Sequence, residues 1–358
     1  MKATNLKQKV DFTDKNIFVG MDVHKINWSI SLFYEQDYLR SFTQPGSSEA
    51  LVNFLNKEFP NANFLCGYET GYSGFEVQRK LDDLGIKCLV LHAADVPQTG
   101  KSKIQKFNKG DSKRIGRSLA TNTYNAVYIP EIEDECDRSL VRYRFTIQKD
   151  LARCKNRIKS LLLLFGIPIP EQYKNSWSKG FTKWLKECDR VKGSARIRLN
   201  LMIDQLEKLR AVYLETNREV RKLQISPKFE KPMDILTSVP GIGPLTAIAF
   251  MTEVIDIKRF SSMKKLNAFV GYIPMEYSSG EYEHKGKMTI RKNKLLRTLL
   301  VEAAWIAIKR DPSLAFIYNE LKKIMSGKRA IIKIARKLLC RIRYLLLNEV
   351  KYEKGILN

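Results

Sequence analysis

The sequence predicts an α/β sheet domain followed by a mainly α-helical remainder. Two observations carry that prediction. Up to about residue 125, short runs rich in β-branched and aromatic residues interleave with helix-like segments, the pattern of a sheet flanked by helices. From Asp137 onward the signature changes to long amphipathic stretches of helical period. With 44% hydrophobic and 10% aromatic residues, the 358-residue chain has material for real cores and divides into two or three domains of ordinary size.

The elements follow in order. Residues 1–15 are polar and open the chain as a frayed end. Ile17-Phe18-Val19-Gly20-Met21-Asp22-Val23 reads as a buried strand ending on a carboxylate. Trp28–Phe33 alternates and forms a second strand, and Leu39–Phe42 a third. Pro45-Gly46-Ser47-Ser48 is a turn whose serines can cap a helix running through Leu55. Asn63–Glu69 is another strand ending on a carboxylate. A helix over Phe75–Leu84 stops at Gly85, and Lys87–His92 makes one more strand. Beyond these, Leu140–Leu164 is a long basic helix, broken by Gly166-Ile167-Pro168-Ile169-Pro170. A shorter segment carries Trp177 and Trp184. Leu199, Met202, Leu206, Leu209, Tyr213, Val220 and Leu223 then form a heptad seam, interrupted at polar Thr216. That seam fits a partner helix in the same chain or a coiled coil between chains. Pro227 and Pro232 are expected to end it. The last third is helical with one β excursion near Tyr282–Ile290, and Ile331–Leu347 is a basic amphipathic helix packing its apolar side on the domain.

The charge narrows the function. Lys and Arg number 63 against 38 Asp and Glu, a formal +25, which points to a polyanionic partner, DNA or RNA. Six scattered cysteines without a C-x-x-C pair argue against a zinc ribbon or a disulfide framework and fit a reducing compartment. The start has no apolar stretch like a signal peptide, and no apolar run reaches a membrane span. The expected location is the cytoplasm, with no membrane partner.

Three constellations carry chemistry. Asp22 and Glu69 each sit at a strand's C-terminal end, where open sheets place their chemistry, and paired carboxylates there suit Mg²⁺. A third acid is needed. Asp111 in Asn108-Lys109-Gly110-Asp111-Ser112-Lys113-Arg114-Ile115 is the local candidate, and on a helix Asn108 and Asp111 share a face. Ordinary loop acids would look the same. The second constellation is Pro240-Gly241-Ile242-Gly243 between apolar helical segments, Ile235–Val239 and Leu245–Val254. Gly241 and Gly243 let the backbone approach a phosphate at a helix N-terminus, as in a helix-hairpin-helix, though a structural turn reads alike. The third is Ser279. Ser-Ser-Gly is most often a turn, but cations that could hold a phosphate follow: Lys285, Lys287, Arg291, Lys292, Lys294 and Arg297.

In order and spacing these residues resemble one family, the DEDD-type transposases of insertion sequences known as the IS-one-ten family, relatives of the Piv DNA invertase. The resemblance runs from about Phe18 to Glu320. It rests on Val19-Gly20-Met21-Asp22-Val23-His24-Lys25, Tyr68-Glu69-Thr70-Gly71, Asp111–Gly116, Val239–Ala247, Arg259-Phe260, Ala268–Pro274, Ser279-Gly280, Leu296-Arg297 and Val301–Trp305. It implies a RuvC-like, ribonuclease-H-like domain over residues 1–130, a helical coiled-coil segment over 131–228 and a transposase domain over 229–358. It further implies that Asp22, Glu69, Asn108 and Asp111 stand at the four metal positions, with Asn108 a departure, since it is uncharged where the family has an acid. The rival alignment puts Asp111 third and Arg114 fourth. A further departure is Lys292, where relatives often carry glycine. Ser279 would be the nucleophile, joined covalently to DNA, and serine and acids would build a composite site. The expected partners are donor and target DNA, a structured noncoding guide RNA and further copies of the chain as a dimer or tetramer, in the nucleoid of a bacterial or archaeal cell. The alternatives are a metal-dependent junction nuclease in which Ser279 has no role, and a non-catalytic nucleic-acid-binding remnant.

Overall fold

The computed structural model describes residues 11–71, 73–92, 108–174, 176–279, 282–289 and 292–355; of these, the side chains of 108, 109, 275–279 and 282–287 lie outside the description. The chain forms two compact units, Met1–Ile129 and Pro130–Asn358.

The first unit is built on five strands: β1 (Asn16–Val23), β2 (Asn27–Tyr34), β3 (Asp37–Pro45), β4 (Asn63–Glu69) and β5 (Lys87–Leu91). Their order is β3-β2-β1-β4-β5. The first three form an antiparallel meander, and β4 and β5 join β1 in parallel. Strand alternation sorts the side chains onto two faces. Ile17, Val19, Met21, Cys66, Tyr68, Cys88 and Val90 point to one face, where they pack with Leu51, Val52 and Leu55 of α1 (Ser48–Glu58) and with Val77 and Leu81 of α2 (Glu76–Asp83). Ser47 caps α1, its hydroxyl accepting from the Ala50 N–H at 3.1 Å. On the other face Phe18, Leu65 and Leu89 meet Ile115 and Leu119 of α3 (Asn108–Ala120).

The second unit begins with α4 (Ile132–Leu164), which starts eight residues earlier than its apolar pattern predicts because the acidic first turn of Glu133, Asp134 and Glu135 favours a helix N-terminus. It packs along α6 (Gly193–Gln224): Ile147, Leu151, Cys154, Ile158 and Leu161 interlock with Leu199, Met202, Ile203 and Leu206. The heptad seam therefore has its partner in the same chain. Polar Thr216 fits because its hydroxyl donates to the Val212 carbonyl at 2.7 Å. Short α5 (Lys179–Glu187) packs Phe181 and Leu185 against this pair, with Trp184 stacked 5.6 Å from Phe181.

Val141 and Val220, toward the opposite ends of α4 and α6, enter a second core. That core also takes residues from α7 (Pro227–Thr237), α8 (Pro244–Val254), α9 (Met263–Val270), α10 (Lys294–Arg310), α11 (Pro312–Ile324) and α12 (Gly327–Asn348). The seam helix does end before Pro227, at Gln224, whereas Pro232 ends no helix. Pro227 starts α7, where a missing N–H costs nothing, and Pro232 lies inside it. The β excursion is a full hairpin, β6 (Pro274–Ser279) with β7 (Tyr282–Met288). The apolar side of α12 is buried, through Ile331, Ile334, Leu338, Leu339, Ile342 and Leu345. No helix among the described residues is long and apolar enough to cross a membrane.

Candidate functional site

In the first unit, pairing register brings two acids side by side. Met21 stands opposite Tyr68 in the parallel β1–β4 pair, so the next residues, Asp22 and Glu69, are neighbours on adjacent strands. Alternation puts them on the face of Gly20 and Gly67, the face that α3 covers. The helix can come that close only because the sheet carries glycine there. A Cβ at Gly20 would lie 2.1 Å from the Ser112 carbonyl oxygen and 2.2 Å from the Gly116 nitrogen. Buried hydroxyls pin the contact, with Ser112 Oγ 2.8 Å from Ser31 Oγ.

This approach sets the first turn of α3 over the acids. Burial, together with the nearby Asp111 charge, raises the Asp22 carboxyl above its ordinary value, against the opposing effects of His24 and Arg114. His24 Nε2 lies 3.2 Å from the Asp22 carboxylate. Arg114 pairs with Asp111 one turn away on α3. Among the described residues no three His, Cys, Asp or Glu side chains stand close enough together to hold a metal ion. The Asn108 side chain lies outside the description. What the geometry offers is two adjacent carboxylates, Asp22 and Glu69, with the Asp111–Arg114 pair beside them. Hard oxygen donors of this kind fit a magnesium ion that takes one or two protein carboxylates and fills its octahedron with water and phosphate oxygens.

In the second unit α7 and α8 are joined by the turn Ser238–Gly243. Gly241 adopts φ +89°, and a Cβ there would sit 2.2 Å from the Ala303 carbonyl oxygen of α10. Its side-chain space is thus taken up by protein. Gly243 differs. It caps α8 at φ −90°, and its missing Cβ faces open space. Gly243, exposed at the α8 N-terminus, offers its backbone to a phosphate, while half-buried Gly241 also packs against α10.

Ser279 ends β6, opposite Tyr282 of β7. Its side chain lies outside the description, as do those of Lys285 and Lys287, and Gly280 and Arg291 lie outside it altogether. The foot of this hairpin is tied to α10. The Thr289 N–H donates to the Ile273 carbonyl at 2.9 Å. The Arg297 guanidinium reaches the Thr289 carbonyl at 3.4 Å and Met288 Sδ at 3.5 Å. Arg297, read as a phosphate contact, therefore also holds the hairpin, while Lys294 in the first turn of α10 is exposed.

One group here is not evident from motif spacing. Glu253 on α8 is 2% exposed. Arg142 of α4 grips its carboxylate with two hydrogen bonds of 2.6 and 2.7 Å. Asn293 Nδ2 donates to the same carboxylate at 2.7 Å, while Asn293 Oδ1 caps α10 by accepting from the Leu296 N–H at 3.0 Å. The available signal was a lone acid in the apolar run Ala247-Ile248-Ala249-Phe250-Met251-Thr252-Glu253-Val254.

Comparison with known proteins gives the class, a DNA transposase or recombinase. Residues 233–319 match the family described as Transposase IS116/IS110/IS902 family. A putative transposase of Sinorhizobium fredii is 26% identical over 297 residues, covering 81% of this chain and 72% of that one. The transposase for insertion sequence element IS1533 of Leptospira borgpetersenii is 25% identical, covering 81% of this chain and 85% of that one. A pilin gene-inverting protein of Moraxella bovis is 29% identical over 120 residues, a third of each chain in round terms (33% and 37%). Over residues 233–319 the chain matches this transposase family, and over most of its length it is similar to insertion-sequence transposases.

Proposed function

We propose that this transposase cuts and rejoins DNA of an insertion sequence through Ser279, with Asp22 and Glu69 as a magnesium-binding acidic site. The observation that carries the reading is the in-register pairing of Asp22 and Glu69 under a helix whose Asp111 couples to Asp22. The strand order β3-β2-β1-β4-β5, with β2 antiparallel and acids closing β1 and β4, supports a ribonuclease-H-like, RuvC-like first unit. The α7–turn–α8 pair supports a helix-hairpin-helix grip on DNA backbone, with Gly243 at the contact.

The chemistry is an exchange of phosphodiester bonds. Ser279 gives up its hydroxyl proton, its oxygen bonds to the scissile phosphorus, and one phosphorus–oxygen bond to deoxyribose breaks. The departing oxygen takes up a proton. A hydroxyl of a second strand then attacks the same phosphorus and releases the serine. Carboxylates of Asp22 and Glu69 would hold Mg²⁺, which supplies positive charge at the phosphate undergoing transfer. Lys285, Lys287, Arg291, Lys294 and Arg297 neutralise the DNA backbone around Ser279. A structured noncoding RNA guides the choice of donor and target, since backbone contacts carry no sequence information. Holding donor and target together calls for a homo-oligomer, a dimer or tetramer.

Strand-exchange assays with Ser279→Ala test the reading. The variant should lose both joining and the covalent protein–DNA adduct while binding DNA as before. Cleavage that survives the substitution would instead favour a junction nuclease relying on the acids alone. A wild-type protein that neither cleaves nor joins DNA with its RNA and Mg²⁺ would leave a binding remnant.

A further inference from the structure

We propose that Asn293, held by buried Glu253 and by the surface Arg142 that pairs with it, is a positioning residue for strand exchange. It fixes the N-terminus of α10 and, through it, the foot of the hairpin that carries Ser279. The inference rests on the assignment of Ser279 as nucleophile.

The geometry is that of a tie between three elements. Glu253 is a carboxyl withdrawn from water at the edge of a hydrophobic core, an arrangement that persists only with full hydrogen bonding. Arg142 answers its charge from α4 with two bonds. Asn293 supplies the third from the start of α10. Asn293 is fixed at every polar atom that bears on its place. Its backbone N–H donates to the Phe269 carbonyl of α9 at 3.0 Å, its side-chain oxygen caps α10, and its side-chain amide meets Glu253. One turn later Arg297 reaches Thr289 and Met288 at the foot of the hairpin. A simple helix cap needs only an acceptor, and serine or aspartate would serve. The position instead uses a residue that accepts from α10 with one atom and donates to a buried carboxylate with another.

That distinction gives a test which a purely structural cap would not pass. Asn293→Asp keeps the acceptor for the Leu296 N–H, removes the donor to Glu253 and sets two carboxylates against each other. Two carboxyls sharing a site cannot both ionise at ordinary pH, so one pKa rises. Below it, the protonated carboxyl becomes the missing donor. The charged groups facing the pair are Arg142 and Arg138 on α4 and Arg259 beyond α8, whose guanidinium donates to the Glu253 carbonyl at 3.3 Å; Glu135 faces Arg142.

The experiment compares adduct formation and strand joining by the full chain with its RNA, for wild type, Asn293→Asp and Ser279→Ala, across pH, with DNA affinity and circular dichroism alongside. The expected result is a loss of roughly tenfold or more at neutral pH for Asn293→Asp at unchanged DNA affinity, with the ratio to wild type rising as pH falls. Wild-type rates at every pH would reduce Asn293 to a helix cap and overturn the proposal, as would a loss that does not recover with acid. If Asn293→Asp fails to fold, Glu253→Gln replaces it. Glutamine keeps the volume but turns one carboxylate oxygen into an N–H donor, so that Arg142 and Asn293 are left to share one acceptor, and wild-type joining by that variant would overturn the tie. Joining by Ser279→Ala would sink the nucleophile assignment, whatever the Asn293 variant does.

Discussion

Substituting the two glycines of the α7–α8 turn separates its structural from its binding role. Gly241 holds φ +89°, and a Cβ there would stand 2.2 Å from the Ala303 carbonyl oxygen, against a lower limit of 3.0 Å for real Cβ contacts. In Gly241→Ala the turn and α10 must therefore part by the better part of an ångström. Left-handed backbone costs a non-glycine residue about 1–2 kcal/mol, and overpacking a filled core about 1–3 kcal/mol. The variant should lose about 2–5 kcal/mol, which for a unit of this size lowers the melting temperature by about 4–20 °C. Tryptophan emission suits the assay, because Trp177, Trp184 and Trp305 report on the second unit and only Trp28 on the first. Gly243→Ala is the companion. Its Cβ meets nothing within 4 Å and its φ is ordinary, so stability should stay within about 0.5 kcal/mol. Its DNA affinity should fall if the turn grips phosphate. A Gly241→Ala protein as stable as wild type, or a Gly243→Ala protein equally destabilised, would mean that the turn does not pack on α10 through Gly241 alone.

Other expectations follow from the first unit and the helical pair. Gly20→Ala should lift α3 from the sheet, lowering the stability of that unit and abolishing strand exchange; unchanged activity would mean that Asp111 need not sit over Asp22. Asp22→Asn should end exchange, with a rate loss of about a hundredfold or more, while leaving DNA affinity largely intact because phosphate contacts supply it. Since burial and Asp111 raise the Asp22 pKa, the folded state favours the protonated form, and stability grows as pH falls through the raised value. The asparagine variant should therefore melt higher than wild type at neutral pH, with the advantage vanishing in acid; a lower melting point at neutral pH would contradict this. Leu206→Ala, at a fully buried seam position, should cost about 2–5 kcal/mol by thermal unfolding without changing the oligomer measured by light scattering.

The sheet was legible because strands announce themselves by alternation, and β1 and β4 each end on the acid that their register then makes neighbours. The α6 seam was legible as a period, but its partner was not, since a heptad pattern looks the same whether the facing helix is in the same chain or another. Proline was misread at Pro232, where α7 continues past a residue that usually stops a helix. The roles of Gly20 and Gly116 were hidden because close helix–sheet approach depends on which glycines meet in space. The packing of Gly241 against α10 was hidden for the same reason, since Ala303 is distant in sequence. The tie among Arg142, Glu253 and Asn293 joins residues more than a hundred positions apart at one of its arms, and only the solitary acid on an apolar helix hinted at it.

If Ser279 is the nucleophile, it becomes covalently bonded to DNA during exchange. Reacting the chain, together with the proposed guide RNA, with donor DNA, trapping the product in denaturant and sequencing the nucleotide-bearing peptide by mass spectrometry measures this directly. A phosphodiester adduct is expected on the peptide containing Ser279, and none in Asp22→Asn. An adduct on another residue, or efficient joining with no adduct formed at any time, would contradict that assignment.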